Sequence, residues 1–199
     1  MEKKYQVNRS RTYMRTITSI WVAAFLLAQE SQADGWKNYT CQPVEKSYGD
    51  GDSFRGKADT GYTYIWRLYG ADCPETDMTF PTRVKEQAKY FRVDESTVLR
   101  FGKEASNFTG KFLANEFLVY TRKQDAGGQS EKNRYFAHVT ANGESLAAAL
   151  VERGLARAYG QFESFVENGQ RDEKSLKRHL ENLEVKARRA KVGIWAESR

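Results

Sequence analysis

The sequence predicts an α+β domain: a small five-stranded Greek-key barrel of the OB type carrying three helices. Three observations predict it. Five short runs rich in aromatic and β-branched residues are set off by turn residues. A helical pattern separates the third run from the fourth. Two further helical patterns follow the fifth, giving the order β-β-β-loop-α-β-β-α-α, which suits a small closed barrel. The 199 residues suffice for one sizeable core, and a hydrophobic share of 40% argues against a disordered chain.

The first 33 residues read as a leader rather than part of this domain. Lys3, Lys4, Arg9, Arg11 and Arg15 precede a largely apolar run from Ile17 to Ala28, and Ser31-Gln32-Ala33 supplies small residues for a cut after Ala33. That is the layout of a secretory signal peptide. The run is short for a membrane span, and no cysteine follows it at once to take a lipid. The expected organisation is a signal peptide over 1–33 and a single domain over 34–199, exported to the periplasm or the medium. An uncleaved N-terminal anchor is the alternative. The leader holds five of the 32 basic and two of the 26 acidic residues, leaving 27 basic against 24 acidic. So mild a positive charge permits a polyanionic partner without requiring one.

In order, Tyr39 to Lys46 has a weak strand pattern. Asp50 to Ala58 reads as turn then strand, and Asp59-Thr60-Gly61 as a hairpin turn. Tyr62 to Tyr69 is the clearest strand, stopped by Pro74. Thr79 to Arg100 reads as a long insertion loop with two helical pieces, Lys85 to Phe91 and Val93 to Val98. Gly102 to Asn115 reads as a helix with Ala105, Phe108, Phe112 and Leu113 on one face. Phe117 to Arg122 and Tyr135 to Ala141 are strands around a Gly-rich turn over Gln124 to Asn133. Ser145 to Arg153 is a helix stopped by Gly154. Leu155 to Tyr159 is short and extended, and Asp172 to Lys191 is a long amphipathic helix with Leu176, Leu180, Leu183, Ala187 and Ala190 on its apolar face.

The chemistry concentrates between Asp50 and Glu75. Asp52 opens one strand of a hairpin and Asp72 ends the other, so their carboxylates can converge although 20 residues apart. Two carboxylates with carbonyl and water oxygens suit a hard cation, Ca²⁺ better than Zn²⁺; the bland reading of Asp50-Gly51-Asp52 is turn chemistry. Arg67 stands in an otherwise apolar strand, where it needs a carboxylate or a phosphate. Glu75 is either a solvated loop residue or a base for a water. Arg134 is either a surface arginine or a second clamp on a phosphoryl group. His138 and His179 form no zinc pattern, and no Gly-rich phosphate loop is present. Cys41 and Cys73, in an exported domain, are either a disulfide or two buried thiols.

These residues and their order resemble the staphylococcal nuclease (thermonuclease) family. The resemblance runs through Asp50-Gly-Asp-Ser53, Arg67-Leu-Tyr-Gly-Ala-Asp72-Cys-Pro-Glu75 and Phe101-Gly-Lys-Glu-Ala-Ser-Asn-Phe-Thr109. It continues through Arg134 to Asn142-Gly143, Leu150-Val-Glu-Arg-Gly-Leu-Ala156 and Lys191-Val-Gly-Ile-Trp195. It implies a Ca²⁺-dependent phosphodiesterase acting on DNA and RNA, as single strands or frayed duplex without sequence preference, leaving 3′-phosphates. It also implies that Asp52 and Asp72 ligate calcium with the backbone carbonyl of Cys73, that Arg67 and Arg134 clamp phosphate, and that Glu75 activates or orients water. Nothing in the sequence asks for more than a monomer. The family usually has threonine at the positions of Cys73 and Ser53. The Thr79 to Arg100 segment is longer than in its best-known member, and Gln124 to Asn133 lacks the tyrosines that flank the nucleotide there, with Tyr159 the nearest substitute. The competing reading is a nuclease-like OB module that binds nucleic acid or protein without cutting.

Overall fold

The hairpin at Asp59-Thr60-Gly61 sets the sheet. It joins β2 (Ser53–Ala58) to β3 (Thr63–Leu68) in antiparallel register, with Ser53 opposite Arg67 and Arg55 opposite Ile65. A computed structural model describes residues 35–44, 49–127, 134–163 and 173–199; the leader lies outside them. From Trp36 onward the chain forms one compact unit. β1 (Lys37–Pro43) pairs with β2 on one side and with β5 (Phe117–Thr121) on the other. β5 pairs with β6 (Arg134–Ala141), and β6 closes the ring by lying parallel to β3. The result is the predicted closed, mixed five-stranded barrel.

Alternation along the strands fills the barrel. Phe54, Trp66, Leu68, Phe117, Val119, Ala137 and Val139 are all buried, as a sheet with one face on a core requires. The opposite residues of β2 and β3 (Ser53, Arg55, Lys57, Thr63, Ile65, Arg67) point outward, and it is this outer face that carries the site.

The helical complement differs from the prediction. Four α-helices are present among the described residues, not three, because the two helical pieces expected in the Thr79 to Arg100 segment are more than pieces: the first extends back to Pro81 as a full helix, and the second runs on into the helix expected from Gly102. α1 (Pro81–Phe91) starts on a proline, whose fixed φ suits the first helical position, and buries Val84, Gln87, Ala88 and Phe91 on one face. The sequence pattern finds this helix only from Lys85, four residues after its start. α2 (Glu95–Phe112) begins seven residues before the predicted start, capped by Asp94, whose carboxylate accepts the Thr97 amide at 2.7 Å. Thr97 and Gly102 interrupt its buried apolar face, so the sequence pattern divides one helix into a piece ending at Val98 and a helix starting at Gly102. α2 ends at Phe112, short of the predicted Asn115.

The remaining elements follow the sequence within a residue or two. β7 (Glu144–Ser145) leads into α3 (Leu146–Glu152), and α4 (Glu173–Ala190) buries Leu180, Leu183 and Ala187 while Ala190 stays exposed. A 3₁₀ helix (Gly193–Glu197) brings Ile194 and Trp195 into the core. β8 (Arg157–Ala158) lies within the expected extended segment Leu155 to Tyr159, and it pairs antiparallel with β4 (Ala71–Asp72), a strand the sequence did not predict, with Asp72 opposite Arg157. Among the described residues no helix is long and apolar enough to cross a membrane.

Candidate active site

Three contacts place the carboxylates. The β2–β3 hairpin sets Asp52 beside Arg67. The β4–β8 pair fixes Asp72. Pro74 and Glu75 then lie against α2 at Gly102, where a Cβ would stand 2.2 Å from the Glu75 carbonyl oxygen and 2.7 Å from that of Pro74. Only glycine allows this approach. The turn before Asp52 meets the same helix, with Gly51 at φ +102 and its carbonyl accepting from Thr109 Oγ1 at 2.8 Å. α2 is therefore the common floor under Asp52 and Glu75.

Asp52 is fully buried. Its Oδ1 accepts from Ser53 Oγ at 2.9 Å, and its Oδ2 from the Cys73 amide at 3.0 Å and Arg67 Nη2 at 3.3 Å. The same Arg67 nitrogen donates to Asp72 Oδ1 at 2.9 Å. Two carboxylates far apart in the chain thus converge on one cationic nitrogen, though not as the two ends of one hairpin: β3 stops at Leu68, and Asp72 stands on the separate β4, fixed by β8. Asp72 also accepts from Arg83 Nη2 (2.9 Å), Arg157 Nε (2.9 Å) and Gln87 Nε2 (3.4 Å).

Burial alone would raise the Asp72 pKa, but Arg83, Arg157 and Arg67 outweigh it and hold the carboxyl below its usual range. Asp50, at the pocket edge, is pushed well above the usual range by burial and by the neighbouring Asp52 charge. The Arg67 guanidinium is held more firmly protonated, chiefly by Asp52.

Several partners come from α1, and the sequence reading did not find them. Arg83 Nε meets Glu75 Oε1 at 2.5 Å while its other arm holds Asp72, so it ties the two acids together. Gln87 accepts the Glu75 amide at 2.9 Å and donates to the Cys73 carbonyl at 2.9 Å. Arg157, 1% exposed, binds both oxygens of Glu86 (2.6 and 2.8 Å) as well as Asp72. The only hint in the sequence was the helical spacing of Arg83, Glu86 and Gln87, which matters once α1 is known to lie on the site.

Arg134 opens β6 beside Ile65 and donates to Ser53 Oγ at 2.5 Å. Its Nε is buried without a hydrogen-bond partner among the described residues. Burial, with Arg67 nearby, lowers its pKa; both costs would be relieved by an anion. It lines an open cavity of about 360 Å³ together with Asp50, Ser53, Arg55, Glu75 and Phe80. Tyr159 is not among the lining residues; its ring lies 4.1 Å from the Arg157 guanidinium.

Cys41 and Cys73 are free, buried thiols, so the disulfide alternative is not realised. Each is held in separate surroundings. Cys41 sits in β1 near Trp66, where burial pushes its thiol up to about 12. Cys73 is locked by its amide to Asp52 and by its carbonyl to Gln87. His138 stacks on Tyr69 at 4.9 Å, and burial lowers its pKa to about 4, which keeps it neutral and structural.

Among the described residues no three acidic, histidine or cysteine side chains gather in a way that could hold a metal ion. The two-carboxylate pair nonetheless fits a hard cation: Arg67 Nη2 marks a point where positive charge already sits between two carboxylate oxygens.

A closed OB-type barrel with acids and guanidinium groups gathered on its outer β2–β3 face defines the class. The chain matches the family model for staphylococcal nuclease homologues over residues 66–197, and it belongs to that family. The matched span contains Arg67, Asp72, Cys73, Glu75 and Arg134, while Asp52 lies ahead of it. Members of the family are typically nucleases, and the fold fits nucleic-acid binding.

Proposed function

We propose that this protein is an exported, calcium-dependent phosphodiesterase that hydrolyses DNA and RNA to products with 3′-phosphates. The observation that carries the reading is the convergence of Asp52 and Asp72 on one cationic nitrogen, beside Glu75 and the open Nε of Arg134. Export rests on the leader over 1–33.

Asp52 and Asp72 would hold the calcium ion, with the Cys73 carbonyl joining them only if it turns from Gln87. When bound, the ion supplies positive charge to a phosphoryl oxygen and to a water. The chain's own residues do the rest. Arg67, now paired with both carboxylates, would be free to donate to the phosphoryl group if a bound cation took its place between them. Arg134 donates from the other side. Together they offset the charge that grows as the phosphorus becomes five-coordinate. Glu75 accepts or steers the proton of the attacking water. Arg83 holds Glu75 in place for that role and keeps its carboxylate beside the acids it must work with. Binding is sequence-independent because the contacts fall on phosphates, and it weakens as salt rises.

The test is to incubate the purified protein with single-stranded DNA and RNA, with Ca²⁺ and then with a chelator. Cleavage that needs Ca²⁺ and stops on chelation is expected, with 3′-phosphate ends on the products. A folded protein that binds these strands but never cuts them would establish the binding-module reading instead.

A further inference from the structure

The cavity beside Glu75 has a wall that the proposed chemistry does not use. Phe80 lies on its rim and is 44% exposed. It is held there by the start of α1: Pro81 follows it, and its carbonyl accepts the amides of Arg83 and Val84. Its ring makes no aromatic contact among the described residues. Arg55 lines the same cavity from β2, exposed and without an ion pair among the described residues. Ile65 of β3 separates Arg55 from Arg134 of β6 in one paired row. Two strand spacings put those arginines roughly 10 Å apart. The acids in the cavity are Asp50, Glu75 and Asp77, with Arg83 already neutralising Glu75.

We propose that Phe80 and Arg55 form a nucleotide subsite next to the scissile phosphate, taking an unpaired base on the Phe80 ring and the neighbouring phosphate on Arg55. This rests on the nuclease reading and deepens it by naming two residues of this chain that would favour the single strands that reading expects. A base can lie on a side-chain ring only when it is out of a duplex stack, so the subsite selects single strands over paired ones. A cationic groove with an aromatic platform is the general chemistry of single-strand binding. α1 thereby supplies a base platform in a chain whose Gln124 to Asn133 segment has no tyrosine.

Binding can be measured on the full chain carrying Glu75→Gln, with Ca²⁺, using a short labelled DNA strand and a strand of the same length made wholly of abasic residues. The base-bearing strand should bind about tenfold or more tightly than the abasic one, the scale of one stacked base. Adding Phe80→Ala should remove most of that difference, and Phe80→Trp should keep it. Adding Arg55→Ala should weaken both strands alike and reduce the salt slope by about 0.7, the share of one phosphate contact on a single strand. A base preference unchanged in Phe80→Ala, or a salt slope unchanged in Arg55→Ala, would overturn the subsite while leaving the nuclease reading intact. Failure of the Glu75→Gln protein to bind either strand, with no cleavage by the natural chain, would overturn both.

Discussion

Asp72 and Arg134 belong to one site and are wired in opposite ways. Asp72 is 2% exposed and accepts from three guanidinium groups and an amide. Among the described residues Arg134 has one side-chain hydrogen-bond partner, Ser53, and its buried Nε has none. The difference separates two uses of charge. A saturated ion network fixes geometry, and removing one member strands the others. A buried donor left open is costly until an anion arrives, so it is placed for binding rather than for stability.

The largest effect should come from breaking the saturated side. Arg157→Ala leaves Asp72 short of its buried counter-ion and releases Glu86, and should cost about 3–5 kcal/mol in urea unfolding. A loss under 1 kcal/mol would mean the network is not what holds β4 against β8. On the open side, Arg134→Ala should lower cleavage by at least about 100-fold while moving unfolding by no more than about 0.5 kcal/mol. A stability loss matching that of Arg157→Ala would erase the contrast. Glu75→Gln should also lower the rate by about 100-fold or more, and, because Arg83 ties Glu75 to Asp72, it should cost more stability than Arg134→Ala.

Gly102→Ala tests the floor beneath both sides. A methyl there meets the Pro74 and Glu75 carbonyls, so overpacking should cost about 1–3 kcal/mol and displace Glu75, reducing activity as well. Unchanged activity at reduced stability would show that Glu75 is placed by Arg83 and Gln87 alone. The gentlest probe is acid. Asp72 has a folded pKa below its unfolded value, so its stabilisation is complete above the usual carboxylate range, near pH 4, and is lost as pH falls through it. Asp72→Asn should flatten that part of the pH–stability curve, whereas Arg134→Ala should leave it unchanged.

Not every part of this site was equally open to reading from the chain. The barrel was legible because inward and outward residues alternate along Thr63–Leu68 and Arg134–Ala141, and because turn residues mark the hairpin. Asp52, Arg67, Asp72, Glu75 and Arg134 stood out only together: taken singly, most had a bland reading as turn, loop or surface residues, and the family resemblance is what joined them into one candidate site. Arg83, Glu86, Gln87 and Arg157 did not stand out. The first three sit on α1, whose second half reads as helical, but nothing in a helical pattern shows that one of its faces lies on the site. Arg157 looks like any surface arginine until β8 is paired with β4.

By itself, then, the sequence determined the order of the barrel strands and the hairpin that sets Asp52 beside Arg67, while the five groups expected to carry the chemistry were gathered by the family resemblance. The strands and the hairpin follow from local patterns: period two and turn residues. Only the tertiary structure decided which of those charges are already satisfied, that Cys41 and Cys73 stay apart, and that α1 folds over the site to hold Glu75 and Asp72. Those outcomes depend on groups far apart in the chain meeting at hydrogen-bond distance, and ion pairs at that range leave no periodic trace in the residues that make them.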